Sequence, residues 1–504
     1  MNGLARRAFL LAAAAAWPAL ARAQTLPAPA APRPPAALKL QSFSLANGLR
    51  VLLAPRPGWP LVTVQLQLGL GSLLDPPAQA GLTQLFLDVL SRGVQRGRPG
   101  SGRVADGAEI AFTAESLGAS LESQTQALAG SLSLSLAAPR LEETLALLAD
   151  LVRRPTLPAS GLERARQLML ENLRQTQADP ATLAQALGRR LFWGESAAGR
   201  LATPASLNRI RRDDLLALQR SQLAPALSSL IVCGDFEPAA LRPALEREFG
   251  GWRGAAQSGR QPPQVQPRPL VARSVYVDLP GAGQSAVQIL APYAGLAAVE
   301  ELPAGLLAQA VLGQGYSSRL GREVRIKRGL SYGASSQVES LPGSGWLSAY
   351  AQTRHESAAE VARVMALEIQ RLGEQAVEAE ELAARRASWL GEQQRRLEST
   401  AGLAAALGEQ LQQGLAPEAL GRWGERLQAV DAAALQAFAA RYWRGEALRR
   451  VVVGDLAAAG PALRALDPAA WIIPASELDL GSATLRRVSR RGRGAVEGRA
   501  LPPG

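Results

Sequence analysis

The chain carries the same features twice, at a constant spacing of 220 residues. An apolar run followed by glycine and aspartate reads Val232-Cys233-Gly234-Asp235-Phe236 in the first half and Val452-Val453-Gly454-Asp455-Leu456 in the second. Two helical patterns, which start at Leu141 and Val361, have the same offset. Solenoid repeats are several-fold shorter, so this period indicates two duplicated domains. Two similar lobes joined by a linker can enclose a space between them.

Both halves mix short strands with helices. Val62, Val64, Leu66 and Leu68 alternate with polar residues, which predicts a half-buried strand, and a helical pattern follows from Gly81 to Ser91. Asn47-Gly48 lies between two apolar runs and predicts a tight hairpin turn, since both residue types accept positive backbone angles. The expected fold class is α+β, with two homologous lobes. Each lobe contains a mixed or antiparallel sheet covered by helices, and the lobes form a clam-shell.

The two ends of the chain differ from its body. Arg6-Arg7 precede an apolar alanine-rich run and a small-residue cleavage signal, Ala21-Arg22-Ala23, as in a signal peptide. The two arginines fit an ordinary secretory signal and a twin-arginine signal equally well. The predicted segments are a signal peptide (1–23), a Pro/Ala-rich linker (24–38), a first lobe (39–255), an interdomain linker (256–270), a second lobe (271–475) and an Arg-rich tail (476–504).

These features predict a periplasmic or secreted protein. No later segment is long and apolar enough to span a bilayer, so no transmembrane segment is expected after cleavage. The single cysteine, Cys233, excludes an internal disulfide and lies in an apolar run typical of a buried strand.

The formal charge of +12 is concentrated at the ends of the chain. Residues 486–504 contain six arginines and one glutamate, and the predicted signal peptide contains three more arginines. Such a tail fits a solvated extension or a site for anionic lipid or an acidic partner. It lacks the aromatic residues that would favour nucleic acid, so no nucleic-acid partner is expected.

Five motifs follow one another in an order typical of one enzyme family. They are Leu45-Ala46-Asn47-Gly48-Leu49, the helix after Gly81-Leu82, Gly234-Asp235-Phe236, Pro280-Gly281-Ala282-Gly283-Gln284, and Arg319-Leu320 leading to Arg325 and Gly329-Leu330-Ser331-Tyr332. Over residues 40–475 the chain resembles the insulinase or pitrilysin-like zinc metallopeptidases, in particular short bacterial members akin to subunits of the mitochondrial processing peptidase.

The resemblance also identifies what is missing. Active members carry HxxEH on the first-lobe helix, with two histidines that bind zinc and a glutamate that activates water. Here Gln84, Leu87 and Asp88 occupy these three places. The third ligand of the family falls at Asn172, or at Glu171 if the register shifts by one residue. Leucine cannot accept a proton and glutamine is a poor zinc ligand, so we expect no metal and no catalytic residue in this chain.

The second lobe keeps residues that the first lobe has lost. In the family, the arginine and tyrosine at the places of Arg325 and Tyr332 reach peptide substrate near the zinc. Both side chains can donate hydrogen bonds to a peptide carbonyl. Taken alone, the residue types also fit a solvated arginine and a tyrosine that fills the core.

The resemblance therefore implies the non-catalytic, substrate-binding subunit of a periplasmic heterodimeric zinc endopeptidase. An HxxEH-bearing homologue would be its partner and would hold the zinc, and peptides or unfolded polypeptides would be the substrates. One alternative is a pseudopeptidase that only binds peptides or scaffolds an envelope complex. A third reading is an independent hydrolase that uses His355, the only histidine, although its sequence context predicts an exposed surface loop.

Overall fold

The computed structural model of the protein describes residues 39–96, 103–254 and 263–487. The signal peptide and linker predicted for residues 1–38 lie outside these ranges, as do residues 256–262 of the interdomain linker and 488–504 of the tail. None of the helices in the described ranges has the length and apolar character that a bilayer span requires.

The first half of the described chain contains a six-stranded sheet, a small two-stranded sheet and eight α-helices. The strands are β1 (Gln41–Ser44), β2 (Arg50–Pro55), β3 (Leu61–Leu68), β4 (Gly93–Gln95), β5 (Val104–Asp106), β6 (Glu122–Thr125), β7 (Gly130–Ala137) and β8 (Ser228–Gly234). The helices are α1 (Leu82–Leu90), α2 (Gly107–Ser116), α3 (Leu141–Arg153), α4 (Ala159–Ala178), α5 (Pro180–Trp193), α6 (Pro204–Arg209), α7 (Arg212–Gln222) and α8 (Pro238–Phe249).

The second half of the described chain contains another six-stranded sheet and seven α-helices. The strands are β9 (Ser274–Asp278), β10 (Ser285–Tyr293), β11 (Ala334–Leu341), β12 (Ser344–Thr353), β13 (Arg449–Gly454) and β14 (Trp471–Pro474). The helices are α9 (Leu302–Gly313), α10 (Ala358–Glu374), α11 (Ala379–Glu398), α12 (Thr400–Gln412), α13 (Ala419–Gln428), α14 (Ala432–Tyr442) and α15 (Leu456–Leu466).

The two large sheets share one topology. The first has the order β1-β2-β8-β3-β7-β6, and the second has the order β14-β9-β13-β10-β12-β11. In each sheet a parallel pair, β2 with β8 or β9 with β13, adjoins a run of antiparallel strands. The outer strand beside this pair differs, since β1 precedes its sheet in sequence and pairs antiparallel with β2, whereas β14 follows its own sheet and pairs parallel with β9. The α+β class and the duplicated, helix-covered mixed sheets are thus confirmed.

The first hairpin differs in detail from the prediction. Gly48 has a positive φ of 89°, but Asn47 is not among the residues with positive φ. The Asn47 side chain instead donates hydrogen bonds to the carbonyl oxygens of Phe249 and Trp252, at 2.8 and 3.1 Å. Asn47 therefore ties the β1–β2 loop to the end of α8, a contact between residues about 200 positions apart that the local pattern does not reveal.

Strand β3 is buried on both faces rather than one. Its apolar residues pack into the first-lobe core beneath α1 and α3, as the alternation predicts. The polar residues of the opposite face are buried as well, with Thr63 2% and Gln67 5% exposed. Thr63 Oγ1 lies 2.8 Å from Thr400 Oγ1, and Gln67 Nε2 donates to the carbonyl of Gly408 at 3.1 Å. These polar groups face a helix of the second half, which satisfies their hydrogen bonds.

Each half of the chain lends one helix to the sheet of the other half. Helix α12 packs on the first sheet, where Leu403 and Leu407 contact the buried residues Leu52 and Ile231. Helix α5 packs on the second sheet, where Leu187 belongs to a cluster formed with strands β9, β10 and β13. The two helices occupy equivalent places, since the N-cap residues Asp179 and Ser399 are 220 positions apart. The predicted lobes are therefore interlocked rather than simply linked.

Segments predicted to be linker and tail contribute to the second lobe. Within the described part of the interdomain linker, Val265 is 2% and Leu270 5% exposed, and the Val265 amide donates to the carbonyl of Pro342. At the start of the tail, Leu478 and Leu485 are buried in the cluster that contains α5. These side chains pack because α5 and the second sheet leave an apolar surface that the adjoining chain covers.

The exchange of helices predicts that truncating a buried leucine at either of two matched positions lowers the stability by a similar amount. Leu187 and Leu407 are both fully buried and 220 residues apart. We expect Leu187→Ala and Leu407→Ala each to lower the free energy of unfolding by about 2–5 kcal/mol, through lost burial and the cavity left behind. Leu168→Ala, at a side chain that is 56% exposed, should change it by less than about 0.5 kcal/mol. Urea unfolding followed by circular dichroism measures all three, and no loss at either buried site would contradict the packing.

Candidate functional site

Helix α1, which carries three of the candidate positions, is fixed at its N-terminus by a buried carboxylate. Asp75 accepts hydrogen bonds from the amides of Gly81 and Thr83, at 2.8 and 2.9 Å, and from the Thr83 hydroxyl. Burial raises the pKa of Asp75, and these hydrogen bonds oppose the rise. Asp75 thus satisfies amides at the start of the helix that have no partner within it.

Gln84 and Asp88 bond to each other. They are one helical turn apart on α1, and Gln84 Nε2 donates to Asp88 Oδ1 at 3.0 Å. Burial raises the pKa of Asp88, while the bond from Gln84 and the charge of Arg92 lower it. Both side chains are half-buried. An amide and a carboxylate that satisfy each other in this way leave no cluster of ligands for a metal.

Leu87 fills the space between α1 and the first sheet. It is fully buried and packs on Gly130, the first residue of β7. A Cβ at Gly130 would lie 2.5 Å from Leu87 Cδ1, so the leucine and the glycine fit only as a pair. The place of the family glutamate is therefore an apolar contact rather than a position for a base.

Asn172 lies on α4, which packs against α1. The Asn172 side chain is exposed, as is that of Glu171, which forms an ion pair with Arg174 at 2.8 Å. The alternative register at Glu171 therefore supplies a carboxylate that already has a partner.

The residues present do not fit a zinc ion. Across residues 39–96, 103–254 and 263–487, no three or more His, Cys, Asp or Glu side chains are grouped so that they could hold a metal. The lone cysteine, Cys233, lies in β8, and burial raises its pKa to about 12, so it is a packing residue rather than a thiolate ligand.

Arg325 lies in a π-helical segment, Gly321–Ile326, in which the amide of Lys327 donates to the carbonyl of Arg322 at 2.8 Å. Such wide turns are rare in proteins overall, and those that occur are often found at functional sites. The Arg325 guanidinium carbon lies 4.2 Å from the centre of the Tyr316 ring and 4.7 Å from that of the Tyr332 ring. The structure thus brings Arg325 and Tyr332 into direct contact.

Tyr332 lies at the surface, at the end of a short segment (residues 329–332) that hydrogen bonds tether to strand β12. Gly329 adopts a positive φ of 62° just after the π-helical segment, and the chain then crosses the end of β12. There the Thr353 hydroxyl donates to the carbonyl of Leu330 and the Ser331 hydroxyl donates to the carbonyl of Gln352. The Tyr332 side chain is 85% exposed, so the alternative that it fills the core is wrong.

Neighbouring cations are neutralised whereas Arg325 is not. Arg322 pairs with Glu381 and Lys327 pairs with Glu323. Within the described ranges the Arg325 guanidinium makes ring contacts but no hydrogen bond or ion pair. Arg325 is therefore not simply one of several equivalent surface charges, because its donors remain available to another molecule.

Sequence reasoning did not find two residues of this site. Tyr316 completes the stack on Arg325, and Gly130 accommodates Leu87. The sequence does place an aromatic residue directly after Gly315, in a turn where a large side chain has to be exposed. The Tyr316 side chain is 63% exposed in the structure. No local signal marked Gly130, since its role depends on a helix more than 40 residues away.

His355 is half-buried in a short 3₁₀ helix, His355–Ser357, and not in an exposed loop. Its Nε2 lies 2.8 Å from the carbonyl of Ala282, and its Nδ1 lies 2.8 Å from Ser285 Oγ. Because a carbonyl only accepts, Nε2 donates to Ala282, and in a neutral imidazole Nδ1 then accepts from the Ser285 hydroxyl. Ser285 is fully buried, so this pair fastens the loop before β10 rather than exposing a nucleophile.

Comparison with known proteins identifies the family of this chain. The family model described as Insulinase (Peptidase family M16) matches residues 50–205, and the model described as Peptidase M16 inactive domain matches residues 209–388. The chain belongs to the insulinase-like peptidase family M16. An uncharacterized zinc protease of Streptomyces coelicolor is 23% identical over 353 residues, which cover 67% of this chain and 73% of that relative.

Two solved structures share the fold. A peptidase M16 inactive domain from Pseudomonas fluorescens matches with a TM-score of 0.74 at 22% identity, covering 83% of this chain and 98% of that chain. A protease from Helicobacter pylori matches with a TM-score of 0.75 at 15% identity, covering 83% of this chain and 100% of that one. The family membership inferred from the motifs is confirmed.

The packing of Leu87 predicts that restoring the family glutamate is costly. Leu87→Glu should lower the free energy of unfolding by more than about 3 kcal/mol, because it buries a carboxylate without a partner. Burial raises the pKa of such a carboxyl, so the loss should grow as the pH rises above the unfolded pKa, reach its full size above the raised folded pKa, and be smaller near about pH 4, where the group is protonated. Leu87→Met keeps the apolar volume and should cost less than about 1.5 kcal/mol.

Urea unfolding at about pH 4 and about pH 8 measures both variants. Equal stability of Leu87→Glu and Leu87→Met at the higher pH would show that this place remains open to a charged group.

Proposed function

We propose that this protein is a non-catalytic, substrate-binding subunit of a heterodimeric zinc endopeptidase. Its partner is a homologous chain that bears HxxEH and holds the zinc, and Arg325 and Tyr332 of this chain complete the site. Peptides or unfolded polypeptides are the substrates. The signal-like N-terminus supports a periplasmic or secreted complex.

One contrast carries this proposal. The places of the zinc motif are closed, since Leu87 is packed on Gly130 and Gln84 is bonded to Asp88. Arg325 and Tyr332 are built into a tethered surface site and have polar groups free for another molecule. A scaffold that bound no substrate near the zinc would gain nothing from an unpaired guanidinium held between two tyrosines.

The chemistry of the pair suits a peptide carbonyl. During attack on a peptide bond the carbonyl oxygen gains negative charge, and hydrogen-bond donors fixed beforehand stabilise that charge. Arg325 offers a cationic fork of N–H donors, and Tyr332 offers a phenolic O–H. The ring contacts hold the guanidinium in place before substrate arrives, which reduces the ordering needed on binding. An extended peptide that adds to a sheet edge would give broad specificity.

Co-expression with an exported HxxEH-bearing homologue tests the proposal directly. We expect the two chains to co-purify and the mixture to cleave an unfolded polypeptide, whereas this chain alone shows no cleavage. Peptidase assays on each chain and on the mixture, at matched concentrations, measure this. Full activity from the partner alone would reject the heterodimeric enzyme and favour a peptide-binding or scaffolding role.

Substitutions in the pair should lower turnover without preventing assembly. In the complex, Arg325→Ala and Tyr332→Phe should each reduce kcat/KM by about 10²–10³-fold, because each removes a donor to the developing oxyanion. Tyr332→Phe keeps the ring on Arg325 and removes only the hydroxyl. Peptidase kinetics, with co-purification as the measure of assembly, give the result.

Two further variants separate chemistry from surface charge. Lys327→Ala removes a neighbouring cation that is already paired and should leave kcat/KM within about twofold. Tyr316→Ala should lower kcat/KM about two- to fivefold through lost cation–π contact, whereas Tyr316→Phe should not. Unchanged turnover in both Arg325→Ala and Tyr332→Phe would remove any catalytic duty from the pair.

A further inference from the structure

The second lobe contains a cavity away from Arg325 and the emptied zinc helix. It lies among helices α9, α11, α12 and α13 and has a volume of about 350 Å³. This size falls within the range of about 300–1,000 Å³ that is usual for small-molecule sites. None of the candidate positions on α1 or α4, and neither Arg325 nor Tyr332, lines it.

The walls of the cavity are mainly apolar. Leu302 and Leu306 contribute from α9, and Trp389 and Leu390 contribute from α11. Trp423 of α13 lies on the remaining side. Apolar and aromatic walls with a few fixed polar groups are typical of sites for small organic ligands.

A buried polar group in the wall has no partner. Gln410 is 6% exposed, and its side-chain oxygen Oε1 makes no hydrogen bond with any described residue. A buried polar atom without a partner is destabilising, so such an atom usually indicates a missing molecule. The amide oxygen accepts a hydrogen bond, which a hydroxyl group on a ligand can donate.

The cavity carries no unbalanced charge. Arg396 and Glu409 are the charged residues among those that line it, and they form an ion pair with each other. A charged head group would enter without a counter-ion, and burying an unpaired charge is strongly unfavourable. The occupant is therefore neutral.

Helix α13 forms a cover over the cavity. Leu427 is fully buried and anchors the C-terminal turn, whereas Leu420 and Trp423, on the same face, are half-buried and line the cavity. Gly421 and Gly424 also line it, and a Cβ on Gly424 would be only in ordinary contact, at 3.6 Å, with Leu390. The glycines leave space beneath the cover where larger residues would fill it.

We propose that this cavity binds a neutral amphiphile, with an alkyl body between Trp389 and Trp423 and a hydroxyl group hydrogen-bonded to Gln410. This inference does not rest on the proposed heterodimer, since no residue of the Arg325 site takes part. It identifies a ligand site separate from the surface formed by Arg325 and Tyr332.

Three probes with one chain length and different head groups test the ligand class. Decan-1-ol, decanoate and decyltrimethylammonium are titrated, below their micelle concentrations, into the full chain while tryptophan fluorescence is recorded. We expect saturable binding of decan-1-ol and at least about tenfold weaker binding of both ions, because neither finds a counter-charge. Equal binding of all three probes would overturn the proposal in favour of non-specific adsorption.

Variants locate the binding. Gly424→Leu fills the cavity and improves the helix propensity of α13, so decan-1-ol binding should fall at least about tenfold while the fold is kept. Gln410→Leu should weaken decan-1-ol about fivefold by removing the acceptor. Arg422→Leu, on the exposed face of the same helix, is the matched control and should bind as the unaltered chain does. Unaltered binding by Gly424→Leu, with its unfolding midpoint retained, would place the probe elsewhere and reject the site.

Discussion

The reciprocal burial of sheet faces by helices from the opposite half underlies the rest of this structure. Helix α12 covers the first sheet and α5 covers the second. Without these helices, Thr63 and Gln67 would lie on an open sheet face, and the leucines that pack beneath the helices would face water. Because each lobe is completed by the other, the lobes cannot separate without exposing both sheets.

Packing closes the first-lobe helix at the positions where the family resemblance implies a zinc motif. A motif that had merely lost its ligands would leave polar or empty space, and such space is destabilising. Here Leu87 fills the volume above Gly130, and Gln84 and Asp88 satisfy each other. The helix now contributes to the core of the first lobe, whereas the polar groups free for a ligand lie in the second lobe. This arrangement fits the proposed subunit, which would hold substrate and leave the chemistry to another chain.

The motifs predicted which residues form the candidate site better than they predicted its surroundings. Arg325 and Tyr332 are seven residues apart, and local backbone geometry brings them together, so a sequence motif captures them. Tyr316 joins the same stack through a turn whose path is set by the π-helical segment. His355 looked exposed because its neighbours are charged, yet its partners, Ser285 and Ala282, come from a loop about 70 residues away.

The sequence by itself determined the duplication, the α+β class of both halves, and the presence of Gln84, Leu87 and Asp88, rather than histidines, on the helix after Gly81. These features depend on periodicity and on short motifs, which a single chain displays directly. The tertiary structure alone decided that α5 and α12 exchange sheets, that Leu87 closes on Gly130, and that Gln410 faces a cavity without a partner. Those outcomes depend on contacts between distant segments, which side-chain shape and hydrogen bonding select only after the sheets have formed.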